Sequence, residues 1–165
     1  MKTDIGEYVV GAYLKLEEGC DVVDYNVRPP GGGLEGLGEL DVVGYDFRRG
    51  RAFLCEVTTH IKGLQIGPSY DATVRKITDK HTRQRAYAAT HLQRFDEIRF
   101  QFWSPRVPKG ALSERLARID GLELVINGRY RECVEKLRLR AKVETQDAVN
   151  PFFRVLQILE AMRKE

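Results

Sequence analysis

The chain has 165 residues, about one domain's worth, of which 42% are hydrophobic and 31% charged. That profile excludes a disordered chain, and no apolar run approaches the ~18 residues a membrane span needs. The net charge of +3 permits nucleic-acid binding without announcing it. The N-terminus lacks the basic start, apolar stretch and cleavage site of a signal peptide, so a cytoplasmic location without membrane contact is expected. Cys20, Cys55 and Cys133 are widely spaced and sit among apolar residues, which predicts reduced core thiols rather than a zinc site.

The first element reads as a helix capped by Thr3, with Ile5, Val9, Ala12 and Leu16 at helical spacing. Val10, Tyr13 and Leu14 make its other faces apolar, so Glu7 is a carboxylate on a buried helix. A strand at 20–28 ends at Pro29-Pro30. Residues 31–38 hold five glycines and read as a flexible connection. Strands at about 39–47 and 52–59 follow, then a long helix over about 71–94. A strand at 98–103, a short helix near 111–118 and a strand at 122–126 come next. Helices at about 129–143 and 151–164 finish the chain, the last started by Asn150 and Pro151. Three strands in close succession predict an antiparallel meander, and the strands separated by helices predict crossovers. The whole reads as one α/β domain, a mixed sheet of about five strands with helices on both faces. Its C-terminal segment, 129–165, packs on the core or forms a homodimer interface, because a helix bearing Phe152, Phe153, Val155, Leu156, Leu159 and Met162 does not stay exposed.

The hairpin at 39–59 carries the chemistry. With Arg49-Gly50 as a two-residue turn, Asp41 faces Thr58 and Val43 faces Glu56. Alternation then places Asp41, Val43, Tyr45 and Phe47 on one face with Ala52, Leu54, Glu56 and Thr58. Leu40, Val42, Phe53, Cys55 and Val57 occupy the other. Asp41 and Glu56 become diagonal neighbours, roughly 7 Å or less between Cβ atoms. Two carboxylates that close on a buried face repel and are poorly hydrated, and a divalent cation relieves both problems. Mg²⁺ takes one or two carboxylates and leaves its other positions to water and phosphate, the apparatus of phosphodiester hydrolysis.

Gly38-Glu39-Leu40-Asp41-Val42-Val43 followed by Phe53-Leu54-Cys55-Glu56-Val57-Thr58 resembles the PD-(D/E)XK nuclease superfamily, the restriction-endonuclease-like fold. The resemblance covers about three-quarters of the chain, from the first helix to the strand near 126. It implies that Asp41 and Glu56 ligate Mg²⁺ or Mn²⁺, and that Glu7, matching the acid many members carry on their first helix, is a further metal ligand. The family's lysine position holds Thr58, whose hydroxyl can bond a water but carries no charge. Val74, Ile77, His81, Gln84, Ala88 and Leu92 approximate one stripe of the long helix, with Lys80 at its margin and Lys76 one turn earlier. Some relatives place a lysine or glutamine of this helix in the site, so Lys80 and Gln84 are candidates, as is Lys62 just past the hairpin. His60, His81 and His91 show no metal-ligand spacing. Arg129, Arg131, Lys136, Arg138, Arg140 and Lys142 form a basic helix, either a solvated face or a phosphate-contacting surface.

Two functional readings follow. One is a divalent-metal-dependent nuclease, with DNA as the expected substrate. The other, motivated by Thr58, is a catalytically impaired member of the same fold acting as a nucleic-acid-binding or assembly module.

Overall fold

A computed structural model describes residues 2–29 and 38–163; the glycine-rich stretch lies outside them except for Gly38. The elements are α1 (Ile5–Leu16), β1 (Val22–Val27), β2 (Leu40–Asp46), β3 (Arg51–Val57), α2 (Tyr70–His91), β4 (Glu97–Ser104), α3 (Ala111–Leu116), β5 (Leu122–Ile126), α4 (Asn127–Ala141) and α5 (Pro151–Met162). The fold is α/β, with the expected order and a mixed five-stranded sheet. Strands lie in the order β1-β2-β3-β4-β5. The first three pair antiparallel, and β3, β4 and β5 pair parallel through the α2 and α3 crossovers.

The sheet is covered on both faces, which is why its strands read as nearly continuous apolar runs. Val10 and Leu14 of α1 and Cys133 of α4 pack on Val42, Phe53, Cys55, Trp103 and Val125. On the other face, Ala88 and Leu92 pack with Val43, Ala52 and Leu54, while Ile77, Leu112 and Leu116 pack with Phe102. Leu40, expected on the α1 face, belongs to the cluster under α2. Among the described residues no helix is long and apolar enough to cross a membrane. The three cysteines are buried and free.

The hairpin register differs from the expected one by two residues. Asp46 pairs with Arg51, so the turn spans 47–50, with Gly50 at φ 63°. The cause is the Asp46 carboxylate, which is fully buried. It accepts from the Arg49 backbone N–H (3.1 Å) and from the Arg51 guanidinium (2.9 Å). A two-residue turn would set Asp46 against Phe53 and leave a buried charge without that partner. A shift of two keeps every side chain on its face. It changes which residues meet: with Val42 opposite Cys55, Asp41 stands directly opposite Glu56 rather than diagonal to it.

The cap of α1 is Asp4 rather than Thr3. The Asp4 side chain accepts from the Gly6 N–H (2.8 Å), and Glu7 reciprocates by accepting from the Asp4 N–H (3.2 Å). This is a capping box, worth more than a lone hydroxyl because it satisfies two free donors at once.

The C-terminal helices dock on the core. Leu137 and Ala141 of α4 and Phe153 of α5 pack on Ala12 of α1. Asn150 caps α5 and also donates to the Tyr8 carbonyl (2.9 Å), tying the helix start to α1. The outward face of α5 stays apolar: Val155, Ile158, Leu159 and Met162 are all at least half exposed.

Candidate active site

The site lies where β2 begins and β3 ends. Glu56, the penultimate residue of β3, points to the α2 face and is 3% exposed. Asp41 sits across from it on β2, and its Oδ2 accepts the backbone N–H of Val57 (2.8 Å). That bond orients the carboxylate along the strand end.

Lys80 reaches this pair from α2. Its Nζ donates to Glu56 Oε2 at 2.5 Å and lies 3.7 Å from Asp41 Oδ2. One helical ammonium therefore touches both acids. Burial raises the pKa of Glu56, the Asp41 charge raises it further, and Lys80 pulls against both. Burial works against the charge of Lys80, but the two carboxylates overcome it and hold the ammonium above the ordinary lysine value. These shifts pull the contact in opposite directions, one toward a neutral acid and the other toward a charged amine. Lys80 is charged, because two acids face its ammonium.

Glu7 stands behind Asp41. Its carboxylate accepts from Asp4 N and from Asn26 Nδ2, each at 3.2 Å. Burial and the nearby Asp41 charge raise its pKa to about 7. Asn26 has the left-handed φ of 53° that aspartate and asparagine tolerate best, and this aims its amide at α1. Asn26 is a residue that orients a candidate acid yet has no signal in the linear pattern.

The other candidates are dispersed. Thr58 follows β3, half-buried, its N–H bonded to the Trp103 carbonyl (3.0 Å). Lys62 is exposed and forms no ion pair with a described residue. Gln84 is fully buried, and both ends of its amide are used. Its Nε2 donates to the Leu54 carbonyl (3.0 Å), and its Oε1 faces His81 Nδ1 (3.3 Å). His81 in turn donates from Nε2 to the Asp120 carbonyl (2.9 Å). This chain ties α2 to β3 and to the turn before β5, a positioning role that keeps Lys80 over the acids. On α4, Arg138 is paired with Glu135 and Glu160, and Arg140 with Glu17, so these two cations brace the fold.

The donor set suits a hard divalent cation. Two carboxylates converge on one positive nitrogen, which stands where such an ion would be attracted. Among the described residues no third His, Cys, Asp or Glu completes a metal-holding group with them. Mg²⁺ requires no more than one or two carboxylates, with water and phosphate oxygens filling the rest. Compared with known proteins, the chain matches no family model, no curated protein and no solved structure.

Proposed function

We propose that the chain is a divalent-metal-dependent nuclease of the PD-(D/E)XK kind, hydrolysing phosphodiester bonds in the cytoplasm, with DNA as its first-choice substrate. The observation that carries this is the meeting of Asp41, Glu56 and Lys80 at one strand end. The lysine that the β3 motif lacks at Thr58 is supplied by α2 instead. Asp41 and Glu56 would hold Mg²⁺ or Mn²⁺, which supplies an activated water and charge neutralisation at the scissile phosphate. Lys80 then orients the attacking water or stabilises the developing charge. The Thr58 hydroxyl is a further donor or acceptor for that water. Glu7, bonded to Asp4 and Asn26, tunes Asp41 from behind.

The experiment is cleavage of single-stranded and duplex DNA and RNA with Mg²⁺ or Mn²⁺, comparing the wild type with Asp41→Ala and Glu56→Ala. Loss of cleavage in both variants with the fold intact is expected. Full activity in either one overturns the reading.

One observation favours a second reading. Lys80 contacts both acids, so the pair can be held by its own cation, as in a catalytically impaired module that binds nucleic acid or assembles with partners. That reading expects no cleavage under any metal condition. For either reading, the apolar outward stripe of α5 is proposed as a homodimer interface.

A further inference from the structure

The α2 face of the sheet is not covered evenly. Where β1 and β2 run past α2, two adjoining hollows of about 280 and 550 Å³ share Tyr87, Thr90 and His91. Together they form a groove along one side of the helix. Lys80, Arg83, Tyr87 and His91 recur at three- and four-residue steps, so they form one stripe on α2. The stripe runs from the acid pair toward the hairpin turn, a length of about 16 Å at the helical rise per residue.

At its far end the groove meets an aromatic cluster. Tyr45 and Phe47 stack with ring centroids 6.0 Å apart and 3° between planes, and Phe95 packs 5.8 Å from both. Phe47 is 62% exposed although its neighbours are half-buried. Tyr87 and His91 add a ring pair 4.7 Å apart beside it. The helix that forms one wall is strongly basic. Residues 71–94 carry six Lys or Arg against Asp71 and Asp79, while the whole chain is only +3. Arg83 and Arg94 line the groove, are exposed and form no ion pair with a described residue. Asp24 is the acid lining the opposite wall.

We infer that this groove binds single-stranded nucleic acid, with bases stacking on Phe47 and its aromatic neighbours and phosphates held by Arg83 and Arg94. Exposed rings interleaved with unpaired guanidinium groups are what an unstacked strand requires, because every base offers a π-face and every nucleotide a charge. A duplex keeps its bases stacked and has nothing to offer a flat aromatic platform. A purely apolar partner would leave both arginines unpaired at its margin. Leu40, the neighbour of Asp41, lines the groove, and Lys80 is one turn of α2 before Arg83, so the bound strand would be delivered toward Asp41 and Glu56. For that final step the inference rests on the nuclease reading; for binding it does not.

The test is fluorescence anisotropy in EDTA, with labelled oligothymidylate of about 15 nucleotides and a duplex of equal length. The expected result is a single strand bound roughly 10-fold tighter than the duplex, and roughly 10-fold weaker binding by Phe47→Ala, restored by Phe47→Tyr. Arg83→Gln and Arg94→Gln should each lower the salt slope by about 0.7. Phe47 is a surface side chain, so the fold survives its truncation, and circular dichroism verifies this. Unchanged binding by Phe47→Ala, or a preference for duplex, overturns the inference. Absence of oligonucleotide binding, with self-association that Phe47→Ala abolishes, also overturns it and makes the groove an interface between copies. Chelation keeps cleavage out of the measurement. Binding without metal-dependent cleavage would sink the nuclease reading alone, and cleavage without this binding would sink the groove alone.

Discussion

Lys80 Nζ lies 2.5 Å from Glu56 Oε2, a contact between the middle of α2 and the end of β3. Neither residue is near the other in sequence, and the strand position expected to carry lysine holds Thr58. The contact predicts two separable effects of Lys80→Met. Cleavage should fall at least about 100-fold, while affinity for Mn²⁺ does not weaken, since a competing positive charge has gone. The fold should lose about 1–3 kcal/mol in urea unfolding, because Glu56 loses its partner in a buried site. The double variant Lys80→Met/Glu56→Gln should recover part of that loss. Weakened Mn²⁺ binding in Lys80→Met would contradict this arrangement.

Glu7 sets a pH dependence. Its pKa is about 7 in the folded protein against an ordinary 4.5, through burial and the Asp41 charge. Between those values the folded chain holds a proton that the unfolded chain has released. The Glu7 contribution to metal-free stability should therefore fall as pH rises from about 4.5 to about 7 and level off above that, with the raised Glu56 adding a similar slope of its own. Glu7→Gln should flatten this slope, as measured by thermal unfolding across the pH range. An unchanged slope in Glu7→Gln would show that Glu7 is already ionised when folded.

Gln84 separates positioning from chemistry. Its amide holds the Leu54 carbonyl and faces His81, so Gln84→Ala should cost about 2–3 kcal/mol by leaving buried groups unsatisfied. Cleavage per folded molecule should drop less than in Lys80→Met, with the pH profile unmoved. A loss as large as that of Lys80→Met, in a protein of unaltered stability, would place Gln84 at the reacting atoms.

The α5 stripe makes an oligomerisation prediction. Val155, Ile158, Leu159 and Met162 face outward while Gln157 and Glu160 are buried. Gln157 Nε2 bonds the Glu144 and Gln146 carbonyls, and Glu160 pairs with Arg138, which accounts for polar residues on the inner side. Light scattering should show a dimer that Ile158→Asp converts to a monomer with unchanged helicity. A wild-type monomer at all accessible concentrations would remove the homodimer from the account.

Much of the architecture was legible in the sequence because it follows from local periodicity. Alternation along β2 and β3 puts Asp41 and Glu56 on one face under either hairpin register, since the two registers differ by an even number of residues. The register itself depended on Asp46, whose demand for guanidinium partners outweighs the turn preference of Arg49-Gly50. The Asp4–Glu7 capping box was present in the letters but competes with Thr3, a choice decided by backbone geometry. Helical spacing puts Lys80 at the margin of an inward stripe, and packing of Ile77, Gln84 and Ala88 sets how far it leans over the acids. Asn26 and the groove along Arg83 and Tyr87 depend on contacts between α2 and the first strands, which no linear pattern encodes.

The most direct test of the central claim is a crystal grown at neutral pH, soaked in Mn²⁺ and measured for anomalous scattering. The account predicts an Mn²⁺ peak between the Asp41 and Glu56 carboxylates, with Lys80 Nζ moved off Glu56 but still beside the metal-bound water. A map with no peak there, and Lys80 still bridging both acids at saturating Mn²⁺, would contradict it.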